Sequence, residues 1–144
     1  MRNNRNVLNP ATTYNIDDFI AMRNTDKLTY YNFSVLEKLK NIEFLNFNVI
    51  EEYLDILPVE KITLEPEQMA RYRYKPDLLS YDLYGSTQLD IVILLINDMI
   101  DPKDFDRTRI YLPYASALSE FLDRVYTANY SLLQQNRLDN NIIL

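Results

Sequence analysis

Lys75-Pro76-Asp77-Leu78-Leu79-Ser80-Tyr81-Asp82-Leu83-Tyr84-Gly85-Ser86-Thr87 is the stretch that decides the fold. It holds the only glycine in 144 residues. The segments on both sides of Gly85 read as helices. A helix commonly ends on a residue with positive φ, and glycine enters that region without steric cost. The following helix needs an oxygen to cap its free N–H groups. Thr87, with Asp90 three residues on, has the pattern of a capping box. Together these features predict a helical hairpin: Leu78–Tyr84, a bend at Gly85, then Gln88–Ile96.

From Ile91 to Ile96 the second helix is apolar on nearly every side, so it must be covered all round. Upstream, Val59-Glu60-Lys61-Ile62-Thr63-Leu64 alternates apolar and polar residues, the pattern of a half-buried strand. Pro66 suits the first turn of a helix over 67–73. Residues 69–74 equally fit a second strand, and Pro76 breaks either. Downstream, Asn97-Asp98 ends the hairpin and Asp101-Pro102-Lys103-Asp104-Phe105 is turn-like. Thr108–Pro113 reads as a short strand stopped by Pro113. Leu118, Phe121, Leu122, Val125 and Tyr126 predict an amphipathic helix over 115–127. The expected core is Leu78, Leu79, Leu83, Leu89, Val92, Ile93, Leu95, Ile96, Ile110, Leu112, Leu118, Phe121 and Leu122.

Further out, Ser34 with Glu37 opens a helix over 35–45, and Asn48 with Glu51 opens another over 49–57, ended by Pro58. Phe44 and Phe47 also fit a strand. Residues 1–33 are rich in Asn, Thr and Tyr and read as an N-terminal arm, with one helical turn at Asp17–Met22. Residues 129–144 read as a C-terminal tail. The expected organisation is an arm over 1–33, a helical connecting segment over 34–58, a core with its following helix over 59–128, and the tail.

Composition removes several functions. Apolar residues at 47% and charged residues at 25% are globular values. There is no cysteine, hence no disulfide, thiolate metal site or cysteine nucleophile. There is no histidine, so the usual neutral-pH proton shuttle and the commonest metal ligand are missing. No catalytic residue, metal site or cofactor is expected. Asp17/Asp18, Glu51/Glu52 and Asp98/Asp101 read as solvated or capping acids. A carboxylate hydrolase would rest on acid abundance alone. A net charge of −6 argues against nucleic acid and anionic membrane as partners. No apolar run approaches the ~20 residues of a membrane span.

Twelve tyrosines stand against no tryptophan. Tyrosine joins contact area to a polar tip and serves both core edges and interfaces. Arg71, Arg73 and Lys75 alternate with Tyr72 and Tyr74. In an acidic chain this strip suits contact with an acidic partner surface, or an exposed edge, better than phosphate. Tyr81, Tyr84, Tyr111 and Tyr114 surround the hairpin and complete the interface candidates. Pro76, Gly85, Thr87, Asn97 and Pro113 are the expected fold-defining positions.

The order strand, helix, helix, strand, with Leu83-Tyr84-Gly85, Leu94-Leu95-Ile96-Asn97 and Ile110-Tyr111-Leu112-Pro113, resembles a LysM domain. The phrase from Arg71 to Gly85, the apolar helix ending at Asn97 and the turn Asp101-Pro102 to Phe105 look like a narrower group. They resemble baseplate wedge subunits of contractile-tailed bacteriophages that carry a LysM-like core. The likeness covers residues 59–126. It implies an α+β fold: a small LysM-like βααβ core, an extra C-terminal helix and extended N- and C-terminal arms. It implies a structural virion protein, made in the host bacterial cytoplasm, that bridges neighbouring wedge subunits around the tail tube and contacts other baseplate and tail proteins. The alternative is a LysM-type module binding peptidoglycan or another glycan. Glycan-binding LysM domains usually carry Gly-Asp-Thr-Leu in the first loop and a glycine before the last strand. Here stand Lys75-Pro76-Asp77-Leu78 and Asp106-Arg107, so the fold is taken from the likeness and the sugar site is not.

Overall fold

A computed structural model of the chain describes residues 5–22, Leu28 and residues 53–127. Among the described residues three strands, β1 (Asn6–Val7), β2 (Thr13–Asn15) and β4 (Arg109–Leu112), pair with a fourth, β3 (Pro58–Thr63). β4 runs antiparallel to β3, with Lys61 opposite Tyr111 and Ile62 opposite Ile110. β1 and β2 run parallel to β3, with Val7 opposite Val59 and Tyr14 opposite Ile62. Bonding parity locates them. The Leu64 N–H donates to the Thr108 carbonyl at 2.7 Å, so even-numbered residues here turn their backbone toward β4. The Val59 carbonyl accepts from the Leu8 N–H at 2.9 Å on the other side. β1 and β2 are therefore two pieces of one edge, with residues 8–12 looped out between them. The result is an α+β fold in which the chain between β3 and β4 is mainly helical.

Residues 5–22 fall in the segment expected to be an arm, yet in the structure they close this side of the sheet. Strands of two and three residues are too short to show a period in sequence. Helix α1 (Ile16–Met22) follows and buries Ile16 and Phe19. Its start is capped by Asn15 Oδ1, which accepts the Asp17 N–H at 2.9 Å.

Polar side chains fasten this segment. The Asn9 amide donates to both carboxylate oxygens of Glu60, at 3.1 and 2.9 Å. Gln68 Nε2 donates to Asn15 Oδ1 at 2.7 Å and Asp17 Oδ2 at 2.8 Å. The Arg5 side chain is 3% exposed and donates to the Leu95 carbonyl at 3.1 Å and Asp98 Oδ1 at 3.0 Å. β3 is half-buried as expected, with Lys61 and Thr63 partly exposed, but the polar Glu60 is wholly buried. With a period of two it shares a face with Ile62 and Leu64, and that face is covered.

The stretch 66–74 opens as a helix, α2 (Pro66–Tyr72), not as a strand. Pro66 takes the first turn, and Glu65 and Gln68 form a reciprocal capping box. Helix α3 (Pro76–Tyr84) ends on Gly85, whose φ is 81° and whose N–H donates to the Tyr81 carbonyl at 2.9 Å. This is the left-handed cap that glycine makes cheap. The expected cap at Thr87 is corrected. Ser86 accepts the Gln88 N–H at 3.2 Å, because the next helix begins one residue earlier as a 3₁₀ turn, Thr87–Leu89. That turn feeds α4 (Asp90–Ile96).

α4 ends without glycine. Asp98 takes the left-handed position with φ 58°. The Met99 N–H reaches the Leu94 carbonyl at 2.8 Å, and the Asp98 N–H reaches the Leu95 carbonyl at 3.1 Å. This is a Schellman motif, with Asp standing where Gly is usual. Asn97 beside it is buried. Its Nδ2 donates to the Ile93 carbonyl at 2.8 Å and the Tyr111 carbonyl at 3.0 Å. Its Oδ1 accepts the Tyr111 N–H at 2.7 Å. One side chain thus supplies β4 with a rung of ladder on its outer edge. Arg107 donates to the Asn97 carbonyl at 2.7 Å.

The expected core residues are buried except Leu78 and Leu95, which are partly so. α4 is not covered all round, since Ile91 is 46% exposed. Residues 115–127 are helical, with Leu118, Phe121, Leu122 and Val125 buried. Residues 53–56 are helical ahead of β3. The helix expected over 35–45, the start of the one over 49–57, the strand alternative at Phe44 and Phe47, and the tail over 129–144 lie outside the described residues.

Gly85→Val should cost about 1–3 kcal/mol in urea unfolding, because a β-branched residue resists positive φ. An unchanged midpoint would show the bend is built otherwise. Asn97→Leu should cost about 2–4 kcal/mol, because it strands both Tyr111 backbone groups. Asp104 accepts the Asp101 and Ile100 N–H groups, which hold its carboxyl below the ordinary range. A depressed carboxyl stabilises the fold above its unfolded value and loses that contribution as pH falls through the folded value. Asp104→Asn should therefore flatten the acid limb of a stability–pH curve; a limb of unchanged slope would exclude this cap.

Candidate interaction surface

Of the strip from Arg71 to Lys75, helix α2 turns Tyr72 inward. Its ring is wholly buried and its hydroxyl donates to Asp82 Oδ2 at 2.8 Å. Burial pushes the phenol above its ordinary value. Tyr72 is a core residue and leaves the interface set. Arg71 stays exposed, its guanidinium 5.6 Å from the Tyr72 ring centre.

α2 stops at Tyr72, and the next two residues build a small exposed cluster. Arg73 Nε donates to Asp106 Oδ1 at 2.6 Å, and the Tyr74 hydroxyl donates to Asp106 Oδ2 at 3.2 Å. The Arg73 guanidinium lies 5.6 Å from the Tyr74 ring centre. The Tyr74 N–H donates to the Phe105 carbonyl at 2.8 Å. Tyr74 has φ 60° and is 51% exposed. The guanidinium beside Asp106 holds that carboxyl below its ordinary range. In water such a pair contributes little stability. Its effect is positional: it fixes an aromatic ring and a cation on the surface and ties residues 73–74 to residues 105–106.

On α3, Tyr81 is 58% exposed, with exposed Asp77 one turn before it. Tyr84 points the other way. It is buried, and its hydroxyl donates to the Pro113 carbonyl at 2.5 Å. Residues 81 and 84 are three apart, yet they sit on the solvent and core sides of a helix packed on one face only. Tyr111 is half-buried, its backbone engaged by Asn97. The Tyr114 ring packs 5.0 Å from the Phe19 ring, and its hydroxyl donates to Glu60 at 3.4 Å. Arg71, Arg73, Tyr74 and Tyr81 therefore remain on the surface. Tyr72 and Tyr84 belong to the core, and Tyr111 and Tyr114 to the edge of the sheet.

Sequence reading missed a second surface. A groove runs between helical residues 53–56 and the helix over 115–127. Tyr53, Ile56, Leu57, Pro58, Ala117 and Phe121 line it, with the Glu120–Arg124 ion pair on its rim. Ile56 is 50% exposed there. The signal was present, because Ile56 lies off the face shared by Tyr53, Leu54 and Leu57.

Among the described residues no cluster of His, Cys, Asp or Glu side chains is placed to hold a metal ion. No described helix is long and apolar enough to cross a membrane. Comparison with curated proteins and with solved structures finds no match. The profile of the family described as base plate wedge protein 53 matches residues 23–108, more than half of the chain. The chain belongs to that family, and it is a structural protein of the phage tail baseplate that works among other baseplate proteins.

Proposed function

We propose that this subunit bridges neighbouring wedge subunits around the tail tube by protein contact alone, with no cofactor, nucleic acid, membrane or catalytic step. It is made in the host bacterial cytoplasm and ends in the virion. The observation that carries this reading is the Arg73–Tyr74 cluster. A tyrosine at positive φ stores about 1–2 kcal/mol of strain. Such strain persists only where surrounding contacts enforce it, and it gathers at functional positions. Here those contacts hold an exposed aromatic ring and a guanidinium ready-placed, and these are the side chains that dominate interface energetics. Tyr81 extends the same α2–α3 region. The Ile56 groove lies on other elements and gives the second surface that a bridge needs.

The antiparallel β3–β4 pair with α3 and α4 between them supports a LysM-like core. A glycan site finds less support. Its two loops would be 75–78 and 106–107, and residues next to or within them are bound to one another through Tyr74–Phe105 and Arg73–Asp106.

The test is reconstitution with wedge complexes of the same phage prepared without this subunit. Wild-type protein should join two complexes, read as a faster-sedimenting species. Tyr74→Ala/Tyr81→Ala and, separately, Ile56→Asp should each require roughly tenfold more protein for the same joining, with folding intact by circular dichroism. Full joining by both variants would contradict the bridge.

A further inference from the structure

A β-sheet ends in two rows of backbone groups that a further strand can pair with, which is how copies of one chain come to join edge to edge. Both rows of this sheet are obstructed, by different means. Along β4, Ile110 and Leu112 turn their backbone toward β3, so Arg109, Tyr111 and then Pro113 turn theirs outward. The Asn97 amide occupies both the N–H and the carbonyl of Tyr111. Pro113 has no N–H, and its carbonyl accepts the Tyr84 hydroxyl. Among the described residues this leaves Arg109, exposed and charged, as the remaining rung of β4.

The opposite edge is interrupted. Val7 lies opposite Val59 and Thr13 opposite Lys61, so a step of six residues along the edge matches a step of two along β3. Leu8 still bonds to Val59, and the four extra residues are 9–12. They form a fastened turn. The Thr12 N–H donates to the Asn9 carbonyl at 3.0 Å. Pro10 has no N–H, and its carbonyl accepts from Lys61 Nζ. The Asn9 amide is held by both oxygens of the buried Glu60. Before the turn, the Val7 N–H, which faces away from β3, donates to the Arg5 carbonyl at 3.0 Å. After it, β2 turns Thr13 and Asn15 outward and then runs into α1. An added strand needs outward groups at every second residue along its length. On β4 that run stops after Arg109, and on the other edge it is broken by the turn and ended by α1.

We infer that Asn97 and the turn over 9–12 are edge guards, which close the sheet to strand addition and keep copies of this chain from joining edge to edge. Glu60 acts through the second guard: a buried carboxylate grips the Asn9 amide and so holds the turn over the edge. The inference goes beyond bridging and does not rest on it. It states what the sheet refuses, so that neighbours are met through side chains.

The test opens each edge in turn. Asn97→Ala frees the Tyr111 groups. Removing residues 9–12 joins Leu8 to Thr13 in register with Glu60 and Lys61, and Glu60→Gln accompanies it because the Asn9 partner is lost. The free full-length chains are compared by sedimentation velocity from about 5 to 300 μM, a range in which open strand edges associate. Each variant, folded by circular dichroism, should self-associate at least about tenfold more tightly than wild type. Amide exchange should slow with concentration at Tyr111 in Asn97→Ala and at Thr13 in the deletion. In wild type, exchange at Thr13 and Arg109 should not change with concentration. Folded variants that associate no more than wild type would overturn the inference. So would wild-type self-association that slows exchange at Thr13 or Arg109, a readout that holds whether or not a variant folds.

Discussion

The Asn97 side chain holds this structure together at one point. Its amide meets the Tyr111 N–H and carbonyl at 2.7 and 3.0 Å, completing the outer edge of β4 with a side chain in place of a strand. The same amide reaches back to the Ile93 carbonyl, so the end of α4 is fixed to the sheet. Buried backbone groups must be paired, and here the pairing does two things. It seats the helical hairpin on the strand that follows it. It also closes the base of the segment between α4 and β4, whose turn carries Asp106. The surface features depend on that closure, since an open base would let the turn wander.

The end of α4 gathers further partners. Arg5 reaches the Leu95 carbonyl and Arg107 the Asn97 carbonyl, two cations at the negative end of the helix dipole. Arg5 also stands 3.6 Å from Asp55 and 3.0 Å from Asp98. A buried ion pair is weak evidence for stability, because desolvation offsets the attraction. It is better evidence for position, and it sets where the N-terminal segment enters. Glu60 and Gln68 act likewise farther along. Both are buried, and both take hydrogen bonds from or give them to residues 9–17. The sheet edge is therefore specified more by matched polar groups than by its short strands.

Much of this was legible in the sequence. A single glycine between two helical patterns identifies the bend, since few other residues accept positive φ. The 3.6-residue period exposes the core of α3 and α4. Other features rest on information that local patterns do not carry. β1 and β2 are too short to have a period, and their pairing is non-local. Asp98 and Tyr74 take positive φ without being glycine, because tertiary contacts enforce it. The cap moved from Thr87 to Ser86 because a 3₁₀ turn shifts the start by one residue. Tyr72 and Tyr84 looked like Tyr74 and Tyr81 in composition. Only the direction each helix face takes separates buried rings from exposed ones.

For a baseplate wedge protein these details have one meaning. Rigid presentation of a few side chains suits a subunit that must meet fixed neighbours, and the Asn97 closure is the source of that rigidity. Native-state hydrogen exchange at the Tyr111 amide examines it most directly. The account predicts that this amide, though it faces away from β3, exchanges as slowly as those of Ile110 and Leu112. Exchange at Tyr111 orders of magnitude faster than at its two neighbours, as on an open sheet edge, would contradict it.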